Sequence, residues 1–474
     1  MRWMTVACLV LAGVCGAAER VREKMDRGLI ARPADKGAVY VGWRLLESDA
    51  PDVAFNLYRR TEGGQPVRLN AEPIRRTTDY TDASPPGGRA TYILRAVVAG
   101  REGPPCGEAS AAPADKPAPY LSIALDGRHT FQKVGIADLD GDGRYDFVLK
   151  QPNENIDPYE AYWKPSPDTY KLEAYRHDGK LLWRYDMGWA IERGIWYSPY
   201  VVYDLDGDGR AEVAVKSGQG DPRDQDWRVR AGPEHLTILD GLTGKPIARV
   251  DWPSREPFGD PTGKGYNQAS RNQLCVAYLD GKTPHLLVER GTYKQIILVA
   301  YRFSGGKLQE VWRWDNANLP GGYRGQGAHG MHAADVDADG KDEVVIGSAV
   351  IDDNGKELWT TGLGHPDHCY VGDIDPARPG LEIYYGLEKS QKEGNGMCLV
   401  DAATGKILWG HQGPTRHVHG QGLCSDIDPA HPGSECYSAD TDAQKKYAWS
   451  RLRSAAGKVI SEEIPEKVAA DKAY

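Results

Sequence analysis

Several things are scarce in this chain, and each scarcity removes a class of protein. Sustained helical periodicity is almost lacking, which excludes a helical bundle or a βαβ fold. The apolar run from Val6 to Val14 is too short to cross a bilayer. No CxxC pair exists to hold zinc. Lys plus Arg total 58 against 67 Asp plus Glu, a formal net charge of -9. No basic stripe appears either, so a nucleic-acid partner is excluded. Phenylalanine (5) and methionine (6) are few, whereas there are 55 glycines, 31 prolines, 13 tryptophans and 25 tyrosines. That balance suits a turn-rich β protein that displays aromatics.

The N-terminus reads as a secretory signal over residues 1–18. Arg2 precedes the apolar run, and Gly16-Ala17-Ala18 offers small residues before Glu19. A secreted protein, extracellular or periplasmic, is expected. Cys15 lacks the small residue before it that a lipid anchor needs. Cys8 and Cys15 leave with the signal, and Cys106, Cys275, Cys369, Cys398, Cys424 and Cys436 remain. These six could pair in an oxidising compartment, with connectivity unreadable, or stay as buried thiols.

The chain is organised around an acidic loop. In Asp204-Leu-Asp206-Gly-Asp208-Gly209-Arg-Ala-Glu212, carboxylates alternate around a glycine turn. Hard cations such as calcium take that kind of oxygen-rich shell. The pattern recurs as Asp138, Asp140, Asp142 and Asp146, and as Asp335, Asp337, Asp339 and Glu343. Looser copies carry Asp373, Asp375 and Glu382, then Asp426, Asp428 and Glu435, and Tyr278-Leu-Asp280-Gly281 is a degenerate one. Strands flank these loops, so an EF-hand is excluded. Several structural calcium ions are expected, and one further ion could serve an active site.

Six related units mean a repeat architecture. After each acidic loop come a strand such as Val213-Ala-Val-Lys216 and a hairpin with an Asp-Gly or Thr-Gly-Lys turn. Four strands per unit, with recurring Trp183, Trp312, Trp359 and Trp409, describe a propeller blade whose tryptophans pack between blades. The expected fold is all-β. A fibronectin type III-like β-sandwich occupies 22–108, a Pro/Ala-rich linker 109–119, and a calcium-loop β-propeller of about six legible blades 120–474.

Six of the twelve histidines fall in three equivalent windows just before acidic-loop strands: His329 and His332, His365 and His368, His417 and His419. Residues there lie at the end of each unit opposite the acidic loop. Lys150 and Lys216 follow second strands at that end, with Arg290 near the matching place. The long stretches 151–170 and 217–235 extend from the same end. A concave mouth lined by such groups is the default ligand site.

Together the motifs resemble rhamnogalacturonan lyases of polysaccharide lyase family 11. They run in order: Met25-Asp-Arg-Gly-Leu-Ile30, Trp43-Arg-Leu-Leu46, Val202-Tyr-Asp-Leu-Asp-Gly-Asp-Gly209, Ala277-Tyr-Leu-Asp-Gly-Lys-Thr-Pro284, Thr361-Gly-Leu-Gly-His365, and Asp401-Ala-Ala-Thr-Gly-Lys-Ile-Leu-Trp409. The resemblance implies a small β domain on a calcium-loaded, eight-bladed propeller. It implies calcium-assisted β-elimination at the rhamnose–galacturonate linkage of rhamnogalacturonan I, the pectic partner; a monomer is expected. Two of the eight blades, with a substrate-binding Asn-Gly-Thr-Lys motif, are not found in this chain.

Elimination from a uronate needs its carboxylate neutralised, a base for the C5 proton, and a stabilised O4 leaving group. The catalytic candidates are Lys150, Lys216, His329, His332, His365 and His419. Arg193, Arg290 and Arg324 would meet carboxylates, and Asn153, Asn155 and Trp163 would bind sugar. Two rival readings exist. Ala402 to Trp409 is similar to the docking motif of quinone-dependent dehydrogenases, and a non-catalytic glycan-binding or adhesion propeller would need no histidine mouth.

Overall fold

The computed structural model describes residues 20–463, with 119, 121, 261, 419–421 and 445 excepted. The signal segment and His419 lie outside the described residues. Near the N-terminus two antiparallel sheets face each other. One orders Ile30–Pro33, Val39–Gly42 and Asp79–Asp82; the other orders Val67–Arg68, Ala54–Thr61, Ala90–Val98 and Arg101–Ala111. Alternate side chains turn inward, Val39 and Val41 from the first sheet against Phe55, Leu57, Tyr92 and Leu94 of the second.

The remaining chain forms six four-stranded antiparallel sheets, each with its strands paired in chain order. The first holds Lys133–Ala137, Asp146–Gln151, Lys171–Tyr175 and Leu181–Asp186. The second holds Tyr200–Tyr203, Glu212–Gly218, Glu234–Leu239 and Pro246–Asp251. The third holds Asn272–Ala277, His285–Arg290, Ile297–Ser304 and Lys307–Asp315. The fourth holds Gly327–Ala334, Glu343–Gly347, Ala349–Ile351 and Glu357–Thr360. The fifth holds Pro366–Gly372, Glu382–Leu387, Gly394–Asp401 and Ile407–Gln412, and the sixth Leu423–Ser425, Glu435–Thr441, Tyr447–Arg453 and Val459–Ser461.

Period-two alternation explains how these sheets pack. Val213 and Val215 face the first sheet while Ala214 faces the third. Val344 and Ile346 likewise face the third sheet, and Val345 the fifth. A strand buried on both faces therefore reads as an unbroken apolar run. Full burial of each such side chain stabilises by about 1.5–3 kcal/mol. The recurring tryptophans pin one sheet to the next. The indole N–H of Trp183 donates to Gly241 O at 2.7 Å, Trp359 to Ala402 O at 2.9 Å, and Trp409 to Ala455 O at 2.8 Å. The hairpin glycine beneath must be bare: a Cβ on Gly244 would lie 2.5 Å from Trp183.

The all-β reading holds, but the calcium-loop propeller is corrected. Among the described residues the sheets are eight separate, open ones; none closes on itself, and no strand pairing joins the sixth repeat sheet to the first. The physical reason is that each meander satisfies its backbone bonds internally. A sequence repeat therefore specifies the sheets and their stacking faces, and carries nothing about closure.

Residues 20–26 lie across the acidic-loop ends of the first four repeat sheets. Asp26 N donates to Gly143 O at 2.9 Å and Val21 N to Lys282 O at 2.8 Å. A Cβ on Gly207 would meet Val21 Cγ1 at 2.6 Å, and Arg20 pairs with Asp342 at 2.8 Å.

Candidate active site

At the end opposite the acidic loops, four side chains from the fourth and fifth sheets converge. His329 comes from the strand Gly327–Ala334 and Asp367 from Pro366–Gly372, while His365 and Glu388 directly flank fifth-sheet strands. One ligand atom from each lies within 4.8 Å of all the others. His365 Nε2 is 3.2 Å from His329 Nε2, 3.1 Å from Glu388 Oε2 and 3.9 Å from Asp367 Oδ1; His329 Nε2 is 3.6 Å from Asp367 Oδ1. His365 Nδ1 donates to Gly327 O, which turns the Nε2 lone pair into the cluster. Separations of this size suit atoms about 2.0–2.5 Å from one shared cation.

Aromatic rings hold the imidazoles in place. Trp196 lies 5.0 Å from His329, and Tyr293 lies 4.6 Å from His365 and edge-on to His329 at 5.8 Å. The Arg271 guanidinium covers Trp196 at 5.0 Å and Tyr293 at 5.4 Å, and pairs with Asp157 at 2.9 Å. Above the cluster opens a cavity of about 400 Å³ lined by Tyr293, Lys294, Arg324, Gly325, His365, Glu388 and Lys389. Three cations thus surround a cluster that carries two carboxylates. Lys389 is held close to it, since its Cδ would stand 2.4 Å from a Cβ on Gly364. Burial pushes the Tyr293 phenol up, so it stays protonated.

Residues 113–473 match the rhamnogalacturonan lyase family 11 C-terminal domain, and residues 20–111 match the rhamnogalacturonan I lyases β-sheet domain. The chain belongs to rhamnogalacturonan lyase family 11. It is 39% identical over 450 residues to the rhamnogalacturonan endolyase YesW of Bacillus subtilis, covering 89% of this chain and 70% of that protein. It is 36% identical over 477 residues to the exolyase YesX of the same organism, covering 94% of this chain and 75% of that one. The crystal structure of YesW superimposes with a TM-score of 0.83, covering 95% of this chain and 77% of that one at 37% identity.

The other residues singled out in this family 11 chain are placed as follows. His332 sits half-buried in the same strand as His329, and burial pushes it down. Arg324 lines the cavity while donating to Ala317 O at 2.9 Å. Lys150 is buried away from the cavity, where its ammonium donates to Ser198 O and covers the Tyr170 ring. Lys216 and Arg290, also buried, share the Glu234 carboxylate with Arg255. Arg193 pairs with Glu154 and, at 3.3 Å, with Asp168. Asn153 accepts from Thr130 Oγ1 at 2.7 Å, Asn155 accepts from Ile195 N at 3.1 Å, and Trp163 donates to Glu192 at 2.7 Å beneath Arg228.

Asp367, Glu388, Tyr293, Lys294 and Lys389 were missing from the sequence reading. Asp367 carries a usable signal, standing two residues after His365 in the same window. The others arrive from loops whose direction the sequence does not encode.

The acidic loops gather oxygens as a hard cation requires. Asp138, Asp140 and Asp146 converge, as do Asp204, Asp206 and Glu212, and Asp335, Asp337 and Asp339; Asp337 and Glu343 also meet Asp352 of the next hairpin. The last acid of each loop clamps the chain: Asp146 uses both oxygens, accepting from Leu139 N at 3.2 Å and His177 N at 2.8 Å, whereas Glu212 and Glu343 use one each. Glu212 accepts from Leu205 N at 2.9 Å and Glu343 from Val336 N at 2.7 Å. Glu343 Oε1, Asp335 Oδ1 and Glu435 Oε1 are buried without a hydrogen-bond partner. Burial, with neighbouring loop carboxylates adding to it, pushes Glu212 and Glu343 up to about 8. The donor set fits calcium. Asp142 and Asp208 accept from the amides of Arg144 (2.9 Å) and Arg210 (2.8 Å), as Asp339 does from Lys341 N (2.9 Å). Among the described residues, Asp373, Asp375 and Glu382, and Asp426, Asp428 and Glu435, do not converge in this way. A Pro-Ala-Arg/His-Pro segment stands there in place of the middle acid.

Proposed function

We propose that this lyase breaks the rhamnose–galacturonate linkage of rhamnogalacturonan I by β-elimination in the cavity above His329, His365, Asp367 and Glu388. The observation that carries this is the conjunction of a four-ligand cluster with Lys294, Arg324 and Lys389 around one opening. A divalent cation on those four ligands would draw charge from the uronate carboxylate and make the C5 proton acidic. Lys294 and Arg324 meet the same carboxylate, and Arg324 is oriented by its bond to Ala317 O. Lys389 Nζ removes the C5 proton. Tyr293, kept protonated by burial, donates to O4 as the C4–O4 bond to rhamnose breaks. The products are a rhamnose end and a 4,5-unsaturated galacturonate.

Structural calcium in the acidic loops and secretion, to the periplasm or the medium, belong to this reading. So does action as a monomer. The polymer substrate lies outside the cell, and the loop oxygens converge as calcium requires.

Ultraviolet absorbance of the unsaturated uronate tests the reading. Protein mixed with rhamnogalacturonan I should generate the absorbance, a chelator should abolish it, and Lys389→Ala should lower kcat by about 100-fold or more at unchanged fold. New reducing ends without absorbance would mean hydrolysis, and an active Lys389→Ala would remove Lys389 as the base.

A further inference from the structure

We infer that Cys424 and Cys436 form a disulfide that staples the sixth sheet across its acidic loop. The two residues are direct register partners on the antiparallel strands Leu423–Ser425 and Glu435–Thr441. Their Sγ atoms stand 3.7 Å apart as thiols. Directly opposed antiparallel residues have Cα atoms about 4.5–5.5 Å apart. That lies inside the roughly 4.4–6.8 Å window for a disulfide, so side-chain rotation alone closes the bond.

The same geometry excludes a bond between Cys369 and Cys398. Cys369 and Cys398 are both registered on Tyr385, from opposite sides, so two strand spacings separate them. That is about 9–10 Å, beyond the roughly 7 Å limit. Cys106 lies in the sandwich and Cys275 in the third repeat sheet. Among the described residues, Cys424 and Cys436 are the one cysteine pair in direct strand register.

The position gives the bond a purpose. The strand Leu423–Ser425 has three residues and, among the described residues, pairs only with Glu435–Thr441. It is the shortest first strand of the six sheets. The ring closed by the bond contains Asp426, Asp428 and Glu435 and would fix both strands that carry that loop. Formation removes two protons and two electrons from the thiols. A low-molecular-weight disulfide accepts them and leaves as two thiols, as an oxidising compartment provides.

Full-length protein incubated with oxidised glutathione, then denatured, alkylated and mapped by mass spectrometry after cleavage at acidic residues, decides the matter. Cys424 and Cys436 should be refractory to alkylation and recovered as two peptides joined to each other, with Cys369 and Cys398 still alkylated. Reduction should speed amide exchange across 423–437 by about 100-fold, the equivalent of a loop of this size. Cys424→Ser/Cys436→Ser should show the fast exchange with or without reductant. Alkylation of both thiols, stable glutathione adducts on either, or a link to another cysteine would each overturn the assignment.

Discussion

Nε2 of His329 lies 3.2 Å from Nε2 of His365, although 36 residues separate them in sequence. Because Gly327 O holds the Nδ1 proton of His365, two ring nitrogens and two carboxylates face a single point. A shared cation would satisfy all four. His365→Ala should therefore remove one equivalent of bound divalent metal per chain and cut kcat/KM by more than about 100-fold. Elemental analysis of the purified variant beside the parent checks this, and unchanged metal content would refute the cluster as a metal centre.

Trp227 carries a positive φ of 72°, a conformation that costs about 1–3 kcal/mol for a bulky residue. The residue is 52% exposed, and the Arg223 guanidinium lies 4.7 Å from its ring and 3.8 Å from that of Trp189. A strained, half-exposed aromatic on a long insertion suits stacking against sugar. Trp227→Gly should relieve the strain and leave the melting temperature unchanged or higher. The KM for polymer should meanwhile rise several-fold, about 0.5–1.5 kcal/mol of lost stacking. An unchanged KM would leave the strain without a role in substrate binding.

How far the sequence could be read depends on which interactions are local. The apolar run Val213-Ala-Val215 and the turn glycines encode strands and hairpins within a few residues, and those were legible. The acidic loops were legible too, since Asp204, Asp206 and Glu212 reach one point through their own turn. Lys150 and Lys216 could not be placed from sequence, because a cation near a strand end looks the same whether it faces an open mouth or, as here, buried carbonyls and Glu234. Lys294 and Lys389 went unseen because their loops reach the cavity from different sheets. Whether the sheets close into a ring was unreadable for the same reason: closure depends on contacts between distant units.

Glu234 is the single carboxylate on which Lys216, Arg255 and Arg290 converge, and all four side chains are mostly or wholly buried. Burial pushes Lys216 down to about 8, while the surrounding cations hold Glu234 well below the usual carboxylate range against its own burial. Glu234→Gln would strand three buried positive charges. Breaking such a pair costs about 3–5 kcal/mol. Denaturant titration should show that loss at neutral pH, and Glu234→Gln/Lys216→Met should recover part of it. A change below about 1 kcal/mol would mean that water reaches the network.

Acid should destabilise the fold through its buried imidazoles. Burial pushes both His285 and His332 below the ordinary value of 6.5. With the folded value depressed, the unfolded chain binds protons that the folded chain refuses as pH falls through about 6.5. Stability is thus full above that pH and declines below it, down to the depressed folded values. Each such histidine contributes up to about 1.4 kcal/mol per pH unit. His285→Asn/His332→Asn, compared with the parent by urea titration at pH 7.5 and pH 5, should lose less stability on acidification by about that amount per residue. An identical acid loss in the two proteins would show that both imidazoles charge freely in the folded state, and that the acid sensitivity arises elsewhere.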